Sequence, residues 1–457
     1  MSSLNGSNTD CRHVAVFPFP FGTHAAPLFN ITRKLASFAP TVIFSFFNTP
    51  QSNNKVFTHN LDNVKRYDVW DGVPEGYVFK GKPQEDIELF MLAAPDSLRE
   101  AVSKAETETG RSVSCVLGDA FLWFMEDLAK HKGVPWVTTY MSEEHSLLAH
   151  LYTDLIREKI GIHETAEERK DEMLSFIPGM SNFRVQDLPM GIVTGNLDSS
   201  FARMLHQMGL ALPRATAVCI SSCDELDPVV TNHLKTKFNK LLNVGPLSLI
   251  MQPTSVPEDP SNCLTWLDKQ KADSSVAYVS FGSVARPDAT EIAALAQALE
   301  ASHVKFLWSI KDHLKVHLPD GFIERNKEKG MVAAWVPQAA VLAHKAVGVF
   351  ITHFGHNSIM ESVACEVPMI GRPFIGEQKL NGRLVEAVWG IGLVVEGGVF
   401  TKEGVIKSLN KILACAQGEK MRENIRGLRV LMDRAIGPDG SCNTNFKHLL
   451  DIVTNTI

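Results

Sequence analysis

Short apolar runs of strand length, each followed by a segment of helical character, recur in two series along this chain, and a proline-rich stretch separates the series. The first series holds HVAVFPF at 13–19, a helical stretch from about Ala25 to Ser37, TVIFSFF at 41–47, SCVLGD at 114–119, PWVTTYM at 135–141 and AVCISSC at 217–223. The second holds VAYVSFGS at 276–283, VKFLWSI at 304–310, MVAAWVP at 331–337, VGVFITHFG at 347–355 and PMIGRPF at 368–374. Strands buried on both faces read as continuous apolar runs, and helices between them must cross over the sheet, so each series predicts a doubly wound parallel α/β domain. A longer polar and helical insertion, from about Leu151 to Leu212, interrupts the first series. The stretch PLSLIMQPTSVPEDPSN at 246–262 contains four prolines and no consistent period, which marks a linker. The expected organisation is a first Rossmann-like domain over 1–248, a linker over 249–262, a second Rossmann-like domain over 263–440, and a terminal helix over 441–457 returning to the first domain. Ligands of such sheets sit outside the carboxyl ends of the strands, so two of them facing each other would enclose a cleft.

A chain of 457 residues exceeds one ordinary core, which agrees with two domains. The formal net charge of −6 gives no general attraction to nucleic acid or to an anionic membrane surface. No apolar run reaches the length needed to span a bilayer, and the polar start MSSLNGSNTDCRH lacks the apolar stretch of a secretory signal. The eight cysteines are scattered singly with no C-x-x-C pair, so neither a disulfide framework nor a zinc site is indicated. Together these features predict a cytoplasmic protein, expected to be monomeric.

Two constellations carry chemistry. In the second series VGVFIT is followed by His353, Phe354, Gly355, His356, Asn357 and Ser358 and then by a helix-like run. A glycine at a strand exit with small polar residues at a helix entry presents free N–H groups at the positive end of a helix, an anion site, although Asn and Ser also start many helices that bind nothing. In the first series His24 follows the first strand in PFPFGTHAAPL, and Asp119 ends SCVLGD, both at carboxyl ends. A carboxylate on one ring nitrogen would fix the tautomer and raise the basicity of the other, making a general base; capping of the next helix is the alternative role for Asp119. FPFPFGTH is not the G-x-G-x-x-G turn of a dinucleotide site, which argues against a Rossmann oxidoreductase.

The 44 residues from Trp335 to Gln378, WVPQAAVLAHKAVGVFITHFGHNSIMESVACEVPMIGRPFIGEQ, resemble the donor-binding box of plant family-1 UDP-glycosyltransferases over its full length. VAVFPFPFGTHAAPL, LYTDLIRE, SFGSV and LNGRLVE extend the resemblance to the flavonoid 3-O-glycosyltransferase branch, over essentially the whole chain. The resemblance implies the GT-B fold and an inverting transfer of sugar from a UDP-sugar to a small aromatic polyphenol. It implies that Trp335 stacks on uracil, with Val336 and Gln338 near base and ribose and Glu361 accepting from the ribose hydroxyls. It places the diphosphate against His353, His356, Asn357 and Ser358, with Ser283 approaching from SFGS. His24 and Asp119 become the catalytic pair, and no metal or other cofactor is implied; no Asp-x-Asp carrier motif is present to hold one. Polar acceptor contacts fall at Gln84 and His150, with Phe121, Phe201 and Phe374 as aromatic walls, and each of these positions equally suits an ordinary core.

The chain departs from the pattern in four places. HCGWNS reads HFGHNS, Glu366 stands where Gly is usual, the closing pair is Glu377-Gln378 instead of Asp-Gln, and the usual Trp-Thr is Tyr140-Met141. The threonine of that pair implies a hydrogen bond to the sugar's O6. Met141 cannot make it but can pack against a methyl group, so Met141, with weaker support from Glu377, predicts UDP-rhamnose as donor; the resemblance places Glu377 and Gln378 at the sugar and implies a flavonol 3-hydroxyl as acceptor. Two alternatives stay open: a flavonol or anthocyanidin 3-O-glucosyltransferase in which Ser142 or a water serves O6, and a catalytically silent UDP-sugar or flavonoid binder.

Overall fold

A computed structural model of the protein describes residues 12–57, 61–82, 84–246 and 259–454. Its Cα packing divides the chain into two units, the first from segments within 1–168, 190–247 and 435–457, the second from 169–189 and 248–434. Residues 169–189 thus group with the second unit, whereas the sequence reading placed them in the first domain, and the expected linker lies mostly outside the described residues.

The first unit is built on a seven-stranded parallel sheet: β1 (His13–Phe17), β2 (Ile43–Asn48), β3 (Val64–Asp68), β4 (Cys115–Asp119), β5 (Trp136–Tyr140), β6 (Ala217–Ile220) and β7 (Leu241–Asn243), in the order β3-β2-β1-β4-β5-β6-β7. The order reverses between β1 and β4, the topological switch point at which ligands of such sheets bind. Residues of β1 are buried on both faces, as a crossover-covered sheet requires. The Ala25–Phe38 helix turns Leu28, Phe29, Ile31 and Leu35 onto Val14, Val16, Phe44 and Phe46. The Ser441–Thr454 helix adds Phe446, Leu449, Ile452 and Val453 to this same core. Asn445 Nδ2 donates to the Asn243 carbonyl at 3.0 Å, and Lys34 Nζ lies 4.2 Å from the centre of the Phe446 ring.

The second unit holds a six-stranded parallel sheet of β8 (Val276–Val279), β9 (Lys305–Ser309), β10 (Gly330–Ala333), β11 (Val347–Thr352), β12 (Met369–Gly371) and β13 (Gly392–Val394), ordered β10-β9-β8-β11-β12-β13. Its switch point lies between β8 and β11, so the SFGS loop and the HFGHNS turn leave the sheet side by side. Several strands, such as β1 and β8, end earlier than the apolar runs suggested, because residues just past their carboxyl ends, Phe19 and Phe281 among them, are apolar as well.

Beneath the Glu144–Leu151 helix of the first unit lies a buried polar network. Glu143 caps the helix through the N–H groups of His145 and Ser146, and its Oε2 sits 2.9 Å from His145 Nδ1. Asp227, cap of the Pro228–Lys235 helix, approaches the other side of the ring at 3.2 Å. Burial opposes charge on His145, but Glu143 and Asp227 outweigh it and hold the imidazole up at about 10. Burial pushes Glu144 up to about 8, against hydrogen bonds from Asn243 and Thr231. Both groups keep a proton that the unfolded chain releases near the ordinary values of 6.5 and 4.5. Their stabilisation is therefore complete below those values and is lost as pH rises through about 8 for Glu144 and about 10 for His145. The melting temperature should fall between neutral pH and the upper value, and Glu144→Gln, which keeps the bonds without the proton, should flatten the part of the slope below pH 8 in a thermal scan. An unchanged slope in that variant would exclude Glu144 as its source.

Candidate active site

In the first unit, the β1–β4 switch point brings His24 and Asp119 together. Phe17 pairs with Gly118, which sets the end of β4 beside the loop leaving β1. His24 Nδ1 lies 2.7 Å from Asp119 Oδ2, with the carboxylate buried and the imidazole partly open. Asp119 Oδ1 meanwhile accepts the N–H of Phe121 at 2.9 Å within the turn, but it does not cap the next helix, Met125–Lys132, which begins at Phe124 without a side-chain bond. The short Nδ1 contact directs Nε2 away from the carboxylate as the atom able to take a proton.

Aromatic rings surround the imidazole. Phe121 lies 4.6 Å and Phe19 5.3 Å from it, centre to centre, and Phe121 meets Phe201 at 6.1 Å. Phe21 and Phe90 extend the group; these two and Phe19 were not singled out from sequence, although FPFPF next to His24 was a signal for Phe19 and Phe21, while Phe90 comes from the Glu85–Thr109 helix. His150 is buried on the Glu144–Leu151 helix, and burial lowers its pKa to about 4, so it is neutral. That helix can approach the Ser200–Ala211 helix because Gly209 has no side chain to strike the His150 carbonyl. Gln84 is exposed at a left-handed position, φ 61°, and makes no cap hydrogen bond.

Met141 follows β5 on the same edge as Asp119, but it packs against the core of the first unit. That contact corrects the basis of the rhamnose expectation, since it accounts for an apolar side chain without a sugar methyl. Beside it, Ser142 Oγ is buried and has no hydrogen-bond partner among the described residues. A hydroxyl in that condition costs free energy until a partner arrives.

In the second unit, Trp335 is 55% exposed, which removes the core role as an explanation and leaves an open stacking face. Val336 is 4% exposed, so of the two expected base contacts its side chain is closed off and only its backbone is available. Gln338 is held by three partners: its Oε1 accepts from Tyr278 Oη at 3.1 Å, and its Nε2 donates to Ser358 Oγ at 3.1 Å and Glu361 Oε2 at 2.7 Å. Tyr278, buried in β8, was not legible as a site residue. Burial raises the Glu361 carboxyl above the usual range, against the bond from Gln338.

The His356–Ala364 helix begins at Gly355, placing His356, Asn357 and Ser358 in its first turn. Burial lowers His353 to about 4, so its ring is neutral; an atom added to Gly282 would come within 2.9 Å of that ring, and Gly282 itself sits at φ 67°. Ser283 is exposed on the same loop. Gln378 Oε1 accepts the N–H groups of Phe374 and Ile375 at 2.8 and 3.1 Å, and Glu377 precedes it as a partly exposed helix cap without a side-chain bond. Phe374 packs beside Phe281 and under Arg372.

The backbone bears on two departures from the family pattern, and the packing accounts for one of them, Phe354. Phe354 and Glu366 both adopt φ 58°, the left-handed region that favours glycine. The Phe354 ring fills space over Gly371 and Gly382, and its carbonyl accepts Asn381 Nδ2 at 2.8 Å, which holds the strained residue in place. Among the described residues no group of His, Cys, Asp and Glu could hold a metal ion, and no helix is long and apolar enough to cross a membrane.

The family model of UDP-glucoronosyl and UDP-glucosyl transferases matches residues 82–439. An anthocyanidin 3-O-glucosyltransferase of Vitis vinifera is 53% identical over 446 residues, 97% of each chain. A flavonol 3-O-glucosyltransferase of Arabidopsis thaliana is 51% identical over 97% of this chain and 98% of its own. A crystal structure of UDP-glucose: anthocyanidin 3-O-glucosyltransferase in complex with UDP superimposes with a TM-score of 0.92 at 41% identity, covering 98% of this chain and 99% of that one.

Proposed function

The chain belongs to the UDP-glucoronosyl and UDP-glucosyl transferase family, and on that premise we propose that it transfers glucose from UDP-glucose to the 3-hydroxyl of a flavonol or anthocyanidin. The observation that carries the chemistry is the 2.7 Å contact between His24 and Asp119 inside a wall of phenylalanines. Nε2 of His24 removes the proton of the acceptor hydroxyl while Asp119 stabilises the imidazolium that forms. The acceptor oxygen attacks the anomeric carbon, the bond from that carbon to the diphosphate oxygen breaks, and UDP departs from the opposite face with inversion. Phe19, Phe121 and Phe201 suit a planar polyphenol, to which they offer edges and faces. Trp335 takes uracil, Gln338 and Glu361 the ribose, and His353, Asn357, Ser358 and the helix N-terminus the diphosphate; the exposure of Trp335 and the Gln338–Glu361 bond support this assignment.

Hexose replaces rhamnose in this reading because relatives carry glucosyltransferase or galactosyltransferase names and Met141 has its own packing partners, and glucose is taken first because relatives at 53% and 51% identity carry the glucosyl name. Incubating the protein with quercetin and UDP-glucose, UDP-galactose, UDP-rhamnose or UDP-xylose, with products weighed by mass spectrometry, tests it. A hexosyl adduct formed fastest from UDP-glucose is expected. Fastest turnover of UDP-rhamnose would restore the reading from Met141, and thermal stabilisation without product would identify a silent binder.

A further inference from the structure

The proposed donor site is short of positive charge. A diphosphate brings more than one negative charge, and the groups assigned to it supply few counter-charges: His353 is neutral, Asn357 and Ser358 are uncharged, and the helix N-terminus, through which His356 offers its backbone N–H, is worth about half a unit charge. Arg372 does not make up the difference, because Glu291 holds its guanidinium through 3.1 and 2.7 Å bonds.

One ammonium is fixed at this edge. Lys311 lies two residues beyond β9, and its Nζ donates to the Ser283 carbonyl at 2.6 Å, on the loop that leaves β8. That loop reaches the phosphate side of the unit: Gly282 abuts the His353 ring, which in turn abuts Gly355, the cap of the His356–Ala364 helix. Lys311 forms no ion pair among the described residues. Arg286, three residues past Ser283, is exposed on the same loop.

We propose that Lys311 is a diphosphate-binding residue, whose ammonium leaves the Ser283 carbonyl for a phosphate oxygen of the bound nucleotide and neutralises charge on departing UDP. The inference rests on the donor-site assignment above. A phosphate oxygen is the stronger acceptor, since a hydrogen bond between two charged groups exceeds one to a neutral carbonyl. The flexible four-carbon stem lets the ammonium exchange one for the other without moving the backbone.

Calorimetry with UDP and with uridine, on the unmodified protein, Lys311→Ala, Lys311→Arg and Arg286→Ala, tests the proposal. Lys311→Ala should weaken UDP about tenfold to a hundredfold and lower the turnover number, with uridine affinity unchanged. Lys311→Arg should restore most of the UDP affinity, and Arg286→Ala should change it little. Equal weakening of UDP and uridine by Lys311→Ala would show that the lysine only holds the loop, and an equal loss in Arg286→Ala would show a general field; either overturns the proposal. Failure of the unmodified protein to prefer UDP over uridine would overturn the donor-site assignment as well, and it is seen without any substitution.

Discussion

His24→Ala should lower the turnover number by roughly a hundredfold to ten-thousandfold, the range for loss of a positioned general base, while the affinity for UDP stays nearly constant. The two effects separate because the imidazole contacts Asp119 and phenylalanines of the first unit, whereas the proposed nucleotide contacts are all residues of the second. Asp119→Asn should cost a comparable factor with the fold intact. Its Oδ1 can still accept the Phe121 N–H, but an amide N–H would then face His24 Nδ1 and force the ring proton onto Nε2, the atom that must be free to act as base. Initial rates with UDP-glucose and quercetin, together with calorimetric titration by UDP, check both variants. Transfer by His24→Ala at close to the unmodified rate would remove the pair from the mechanism, and a parallel loss of UDP affinity would reassign it to donor binding.

The juxtaposition of His24 and Asp119 was legible because each residue ends or follows a central strand, and central strands of a covered parallel sheet announce themselves as unbroken apolar runs. The edges were not. β3 reads VKRYD with three of its five side chains exposed charges, and β7 and β13 are three residues each, too short for any period. Nor could sequence assign 169–189 to the second unit, since Leu174, Ile177 and Met180 are buried like any core residues and their partners are set by tertiary packing. Phe354 shows the same limit at the site: the substitution is visible, but the room for its ring comes from Gly371 and Gly382, distant in sequence. Lys311 and Tyr278 belong to strand and loop positions with no motif of their own, and only the sheet order β9-β8-β11 brings them beside the box.

In the proposed transfer, donor choice is expected to turn on the residue after Met141. Met141 is occupied by core packing, while Ser142 Oγ, one position on along the carboxyl edge that carries Asp119, is buried with no partner. In the proposed mechanism the anomeric carbon meets an acceptor oxygen activated by His24, which would bring the sugar to this edge during the reaction. A hexose that carries a C6 hydroxyl can then satisfy the serine, and a pentose, which ends at C5, cannot. Ser142→Ala should therefore reduce kcat/KM for UDP-glucose about tenfold to a hundredfold, the range for losing a buried hydrogen bond to a substrate hydroxyl. UDP-xylose should be turned over by the variant at the unmodified rate, which a general disturbance of the loop would not allow. Side-by-side initial rates with the two donors decide it: equal losses would mean that Ser142 shapes the loop and leaves O6 to another group, and no loss with either would return the choice of sugar to residues of the donor box.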